Sequence, residues 1–170
     1  MTEIAETPEV TTLDRIRAIE DRLEIHTLLT THGAAVDAGA ADFWIDRWTE
    51  DSWVQRPADP GRHSGDYEGR YGRDDLRDEI NSPELEALRE TGLSHLNTAP
   101  IIELDGDTAI ATNYTTLVKL HDNAYNILMV VVNRWTLRRE NGWKITSRTI
   151  EAVGHGDAAR KLLLQATRDR

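Results

Sequence analysis

The sequence contains no cysteine, a single phenylalanine, two methionines and 20 Lys and Arg against 30 Asp and Glu. Without cysteine there is no disulfide scaffold, zinc ribbon, thiolate nucleophile or Cys-ligated cluster, so any chemistry falls to oxygen and nitrogen side chains. The formal charge of -10 excludes the basic stripe that a nucleic-acid binder uses to displace counterions. No apolar run approaches the roughly 18 residues of a membrane span. The start, MTEIAETPEVTT, is acidic and lacks the apolar core of a signal peptide. These absences predict a cytoplasmic protein that binds neither nucleic acid nor membrane.

What is present is enough for one domain with a real core: 170 residues, 39% of them apolar. The acidity is uneven. Residues 1–90 carry 22 acids and 10 bases, whereas residues 91–170 carry 8 acids and 10 bases. Residues 1–11 are polar and aperiodic and read as a flexible tail, followed by a single domain over residues 12–168. Thr11 or Thr12 can cap a first helix. That helix shows Ile16, Ile19 and Leu23 at helical spacing, then Ile25, Leu28, Leu29, His32 and Val36 on a different face, and it stops at Gly39. The change of face predicts that its C-terminal half is surrounded. A short helix is expected over Ala41 to Trp48 and a short strand over Ser52 to Arg56. Pro57 to Gly72, rich in glycine and charge, reads as a long surface loop. Polar helices follow over Arg73 to Ile80 and Pro83 to Glu90.

From Leu93 the pattern becomes β. Leu96 to Leu104, Thr108 to Leu120, Tyr125 to Leu137 and Trp143 to Val153 are rich in Val, Ile, Thr, Tyr and Trp, with hairpin turns between them such as Asp105-Gly106. The apolar run Ile127 to Val132 predicts a central strand or an oligomer surface. A helix over Asp157 to Ala166 completes an α+β arrangement, with helices gathered on one face of a curved antiparallel sheet.

This order of elements resembles the SnoaL-like branch of the nuclear transport factor 2 superfamily over about residues 13 to 155. The resemblance is carried by Val36-Asp37-Ala38-Gly39 closing the first helix, Ser94-His95 opening a strand, Leu104-Asp105-Gly106-Asp107-Thr108-Ala109 as a hairpin, and Asn141-Gly142-Trp143-Lys144-Ile145 with Arg148. It implies a cone-shaped α+β barrel, its curved sheet wrapped around the long N-terminal helix with a ligand pocket inside. Relatives include scytalone dehydratase, bile-acid 7α-dehydratase, hexachlorocyclohexane dehydrochlorinase, steroid isomerases and polyketide cyclases, and also noncatalytic dioxygenase β-subunits. In the dehydratase members a His-Asp dyad acts, and Asp37 and His95 stand at its two positions. His32 stands where a tyrosine often lies, five residues before that Asp. On the strand where some members place an acid or second His, this chain has Asn113, Thr115 and Leu117.

An elimination needs a base with a pKa near the working pH, and imidazole meets this without perturbation. The resemblance therefore assigns His95 as base and Asp37 as its orienting partner. His32 or Tyr114 is the candidate proton donor, with a core hydrogen bond as the alternative for His32 and packing in the sheet as the favoured alternative for Tyr114. Trp44, Trp48, Trp53, Met129 and Val131 are candidates to line an apolar pocket, or simply core. Asn133 is a candidate substrate contact or the polar end of a buried strand.

Three patterns carry nothing. Gly154-His155-Gly156-Asp157-Ala158-Ala159 has the form of a dinucleotide motif but too few residues after it for a second parallel strand. His155-Gly156-Asp157 lacks a nearby third iron ligand. Asn113-Tyr114-Thr115 is a glycosylation sequon in form only. No cofactor and no metal site is expected.

The expected function is thus a cofactor-independent, dehydratase-like lyase for a hydrophobic, cyclic and uncharged small molecule. A ketosteroid-isomerase-like or polyketide-cyclase-like proton-transfer enzyme is the alternative within the fold. A noncatalytic ligand-binding or dioxygenase β-subunit-like protein is the alternative from another class. The apolar third strand predicts a homodimer or homotrimer.

Overall fold

The computed structural model describes residues 11–58 and 66–168. Of the expected tail only Thr11 lies among the described residues. Its hydroxyl accepts from the Asp14 backbone N–H while the Asp14 carboxylate accepts from the Thr11 N–H, a capping box that starts helix α1 (Thr12–Asp37). Helix α2 (Ala41–Ile45) is shorter than the periodicity predicts, because Trp48 already opens strand β1 (Trp48–Pro57). The expected loop over Pro57 to Gly72 contains strand β2 (Tyr67–Tyr71), while residues 59–65 lie outside the described residues. Helices α3 (Gly72–Ile80) and α4 (Pro83–Glu90) follow as expected.

The remaining strands are β3 (Ser94–Asn97), β4 (Ile101–Asp105), β5 (Thr108–His121), β6 (Ala124–Glu140) and β7 (Gly142–Ala152), before helix α5 (Ala158–Arg168). The single strand expected over Leu96 to Leu104 is broken in two. Pro100, which has no N–H to donate, sits in the break. Both pieces lie along β5, with Asn97 opposite Thr115 and Ile101 opposite Thr112.

The sheet runs β2-β1-β7-β6-β5-β3, with β4 also on β5, so it is curved and does not close into a barrel. All its pairings are antiparallel except one. β1 runs parallel to β7, with Trp48 opposite Ile145 and Val54 opposite Arg148, a pairing that the expected antiparallel sheet does not contain.

The core lies in the concavity. Ile25, Leu28, Leu29 and Val36 of α1 pack there against Trp44, Trp48, Leu76, Ile80, Trp135 and Ile145. The first half of α1 instead exposes Leu13, Ile16, Ile19 and Leu23. Buried Asp21 ties that half to the β6–β7 hairpin, accepting from Arg139 Nη2 and from Trp143 Nε1. Helix α5 departs from the expected one-sided layer. It packs on the other face of β5–β7, beside Thr112 and Arg134, where the alternation of a strand turns these side chains away from the core. The apolar run in β6 is split: Val131 and Val132 are buried, whereas Ile127 is 67% and Leu128 50% exposed. Among the described residues no helix is long and apolar enough to cross a membrane.

Candidate functional site

Asp37 is the last residue of α1, and that helix end is held firmly. Gly39 takes φ +65° and donates its N–H to Val36 O, and Arg89 of α4 donates from Nε to Val36 O at 2.7 Å and from Nη2 to Ile80 O at 2.6 Å. One guanidinium thus gives Val36 O a second donor beside the Gly39 N–H and also donates to Ile80 O, tying together the C-termini of α1 and α3. His95 lies on β3, whose other edge is taken by β5. On the free edge the His95 backbone N–H donates to Asp37 Oδ2 at 2.8 Å, and ring Nδ1 lies 2.5 Å from Asp37 Oδ1.

Both carboxylate oxygens of Asp37 are therefore engaged by the same residue. A carboxylate only accepts, so this contact calls for the ring proton on Nδ1, and in a neutral ring that leaves Nε2 as the free nitrogen. The pair is largely shielded, with side chains 13% exposed for His95 and 22% for Asp37. Gly33 makes this contact possible: a Cβ there would stand 2.8 Å from the Cβ of His95, so only glycine lets α1 approach β3 so closely.

His95 opens onto a cavity of about 380 Å³ in the concave face. One wall is apolar, with Leu85 and Leu88 of α4, Leu93, Leu117 of β5, and Met129 and Val131 of β6. His32 and Trp44 also line it. His32 is buried in a box of indoles, its ring centroid 4.9 Å from that of Trp135, 5.4 Å from Trp44 and 5.9 Å from Trp48, all edge-on or nearly so. Its Nε2 has no hydrogen-bond partner among the described residues. Burial pushes its pKa well below the usual histidine range, and the nearby Arg148 and His95 push in the same direction, so the ring is neutral.

The rest of the lining includes a charged cluster. Arg56 Nε lies 2.5 Å from Glu68 Oε1 and Arg56 Nη1 pairs with Glu79, while Arg70 lies 3.7 Å from Glu68 and 3.8 Å from Glu79. Beside them Arg148 of β7 faces the cavity. Its Nε and Nη2 both donate to Asn133 Oδ1, at 3.0 and 2.7 Å, and its guanidinium stacks on Trp135 at 4.5 Å from the ring centre. Burial lowers its pKa to about 9, against the opposing pull of Glu79, and it stays charged at neutral pH. Asn133 is fixed in turn: its Nδ2 donates to Thr115 Oγ1 and Asn113 Oδ1, and Thr115 Oγ1 donates to Asn97 Oδ1.

The structure thus gathers His95, His32, Trp44, Met129 and Val131 around one cavity, with Asp37 behind His95. It does not bring the other expected site residues there. Trp48 is wholly buried in the core beneath His32. Trp53 is partly exposed and alternates with the buried Ser52 and Val54, so its side chain leaves the concave face. Tyr114 likewise alternates with the buried Asn113 and Thr115 and is absent from the lining. Asn133 is shut behind Arg148 rather than offered to a ligand. Arg148, Arg56, Glu68, Glu79 and the α4 leucines are lining residues that residue type alone does not single out. The charged residues among them depart from the expected apolar lining.

A long helix laid into a curved, open α+β sheet around an internal cavity defines a protein of the nuclear transport factor 2-like, cystatin-like fold. The chain belongs to the SnoaL-like domain family, whose family model matches residues 17–149. No curated protein matches the sequence significantly. Among solved structures, a nuclear transport factor 2-like protein with a cystatin-like fold from Novosphingobium aromaticivorans is 27% identical, with TM-score 0.81 over 90% of this chain and 97% of that one. An Asp-to-Asn variant of a Mycobacterium tuberculosis protein of unknown function is 20% identical, with TM-score 0.67 over 94% and 92%. The beta subunit of a proposed aromatic-ring-hydroxylating dioxygenase from N. aromaticivorans is 16% identical, with TM-score 0.62 over 81% and 91%.

Proposed function

We propose that the protein is a cofactor-independent lyase that eliminates water, or a similar leaving group, from a small molecule with an apolar ring system, acting in the cytoplasm. The observation that carries this reading is the double hydrogen bond of Asp37 to His95 at the edge of a cavity lined in part by Leu85, Leu88, Leu93, Leu117, Met129 and Val131.

In this reading Nε2 of neutral His95 takes a proton from carbon. The C–H electron pair becomes the new C=C bond, and the C–O bond breaks towards the leaving oxygen. Asp37 holds the ring in the Nδ1–H tautomer and stabilises the imidazolium that forms. The imidazolium then gives its proton to the departing hydroxyl, which leaves as water, and His95 returns to its starting state. Burial keeps His32 uncharged, which weighs against its service as a cationic acid, and Tyr114 does not reach the cavity. His95 is therefore both base and acid in turn. Isomerisation and aldol cyclisation begin with the same proton removal next to a carbonyl.

Turnover of β-hydroxy ketones against simple enolisable ketones separates elimination from isomerisation. His95→Ala is expected to lower turnover by about 10²–10⁴-fold with folding intact, and a fully active variant would refute the assignment.

A second reading, a noncatalytic assembly subunit, draws on the exposed Tyr125, Ile127 and Leu128 at the β5–β6 hairpin, an apolar surface that suits a partner. We favour a homodimer or homotrimer for that surface. Gel filtration of the purified chain checks this: a homo-oligomer that is active alone supports the enzyme, and a monomer that is inert without a large partner supports the subunit.

A further inference from the structure

The cavity's charged wall holds one positive charge more than it can pair. Glu68 and Glu79 are both committed to Arg56 and Arg70. Arg148 stands beside them with no ion pair of its own among the described residues. Its two hydrogen bonds go to one uncharged oxygen, Asn133 Oδ1. A guanidinium presents five N–H donors in a planar fork, so three remain for whatever enters the cavity. Taking a charge out of water is costly unless a counter-charge and hydrogen bonds replace the hydration. The protein nonetheless fixes this one rigidly. Trp135 supports its flat face, and Asn133 is itself held by Thr115 and Asn113. The same cavity is lined by Leu85, Leu88, Leu117 and Met129, which offer a carboxylate nothing and an apolar ring a great deal.

We propose that the ligand is an amphiphile, an apolar ring-sized body that carries a permanent carboxylate, and that Arg148 is the anchor for that carboxylate. The carboxylate supplies the missing counter-charge through the bidentate geometry that guanidinium and carboxylate share. The ring then lies on the leucine wall. The anchor would fix which carbon is presented to His95, a consequence that rests on the proposed proton-transfer role of that residue. The anchor itself does not depend on it.

The test uses two ligands of equal shape that have no leaving group, 2-naphthoate and 2-naphthamide, titrated by calorimetry and by quenching of tryptophan fluorescence. Wild type is expected to bind the carboxylate at least about ten-fold more tightly than the amide. Arg148→Gln is expected to bind both equally and weakly, and Arg148→Lys, which keeps the charge but loses the fork, to fall between them. His95→Gln should keep the full preference, so loss of turnover in that variant speaks only to the lyase reading. Circular dichroism establishes that each variant is folded. Equal binding of the two ligands to wild type overturns the proposal, even if no Arg148 variant folds, and so does a preference that survives in Arg148→Gln. In either case Arg148 would be left to act on charge that develops only during reaction.

Discussion

A Cβ placed on Gly33 would stand 2.8 Å from the Cβ of His95 and 3.2 Å from its carbonyl oxygen. Helix α1 and strand β3 are thus in contact at backbone distance, and the approach of Asp37 to His95 depends on it. Gly33→Ala must push β3 away or move the helix. Overpacking of this kind costs about 1–3 kcal/mol, a fall of roughly 2–4 °C in Tm for each kcal/mol in a chain of this size. Thermal unfolding measures the cost. The ring ¹⁵N shifts of His95 should change in parallel, because the displaced strand carries the imidazole; an unchanged Tm with unchanged shifts would show that the contact is slack.

Asp37→Asn separates orientation from packing. An amide has one accepting oxygen where the carboxylate has two, so it cannot accept from both the backbone N–H and the ring Nδ1–H of His95. Its NH₂ instead favours a ring that accepts at Nδ1, which moves the proton to Nε2 and removes the base from the cavity. The expected outcome is an Nδ1–H tautomer in wild type and an Nε2–H tautomer in the variant, read from long-range ¹H–¹⁵N couplings. Turnover should fall by about 10²–10⁴-fold. An Nε2–H tautomer already present in wild type would contradict the proposed base.

His32 makes stability depend on pH in a defined window. Its folded-state pKa lies below the ordinary value of 6.5, through burial first and then the neighbouring Arg148 and His95. The unfolded chain therefore binds a proton that the native protein refuses. Stability is undiminished above about pH 6.5 and falls as the pH drops from there towards the folded pKa, by at most about 1.4 kcal/mol per pH unit. Urea unfolding at pH 7.0, 6.0 and 5.5 tests this through slopes. Wild type should lose stability faster over that range than His32→Leu, whatever the absolute cost of the substitution.

Arg89 should be more important than its place on a polar helix suggests. Arg89→Met keeps the stem but takes the donor from Ile80 O and leaves Val36 O with the Gly39 N–H alone, at a cost of about 1–3 kcal/mol. Arg89→Lys should rescue little, because one ammonium cannot reproduce donation from both Nε and Nη2. Hydrogen exchange at the C-terminal turn of α1 should rise in both variants, and an unaltered exchange pattern would show that Arg89 does not hold the helix end.

Much of this architecture is legible in the sequence because periodicity is a local signal. The first helix, the two polar helices and the long strands follow from it, and the break at Pro100 does not, because both flanks are equally β-forming. For the site, Asp37 and His95 are far apart in the chain, and only the family resemblance brings them together. Tyr114 and Trp53 fail as site residues for a reason present in the sequence: each alternates with residues that face inward. Arg148 is hidden for the opposite reason. Alternation from Trp143 and Ile145 would turn it outward, but the register shifts between Thr136 and Leu137, leaving Thr146 as an extra residue, and the bulge reverses the parity so that Arg148 and Ile150 face inward opposite Trp135 and Asn133. A one-residue irregularity of this kind has no compositional signature.

The parallel pairing of β1 with β7 also bears on how the molecule is made. Trp48 and Val54, early in the chain, find their partners Ile145 and Arg148 only near its end. Pairings of such long range are slow to form, because loop closure precedes any reward. A nascent or truncated chain that stops before β7 keeps β2 on one edge of β1 but has nothing on the other, and it lacks the guanidinium of Arg148, so binding competence arises late in synthesis. Cells that lose the last strands to a frameshift would accumulate a chain with an exposed β1 edge, a substrate for chaperones and proteases rather than a weakened enzyme.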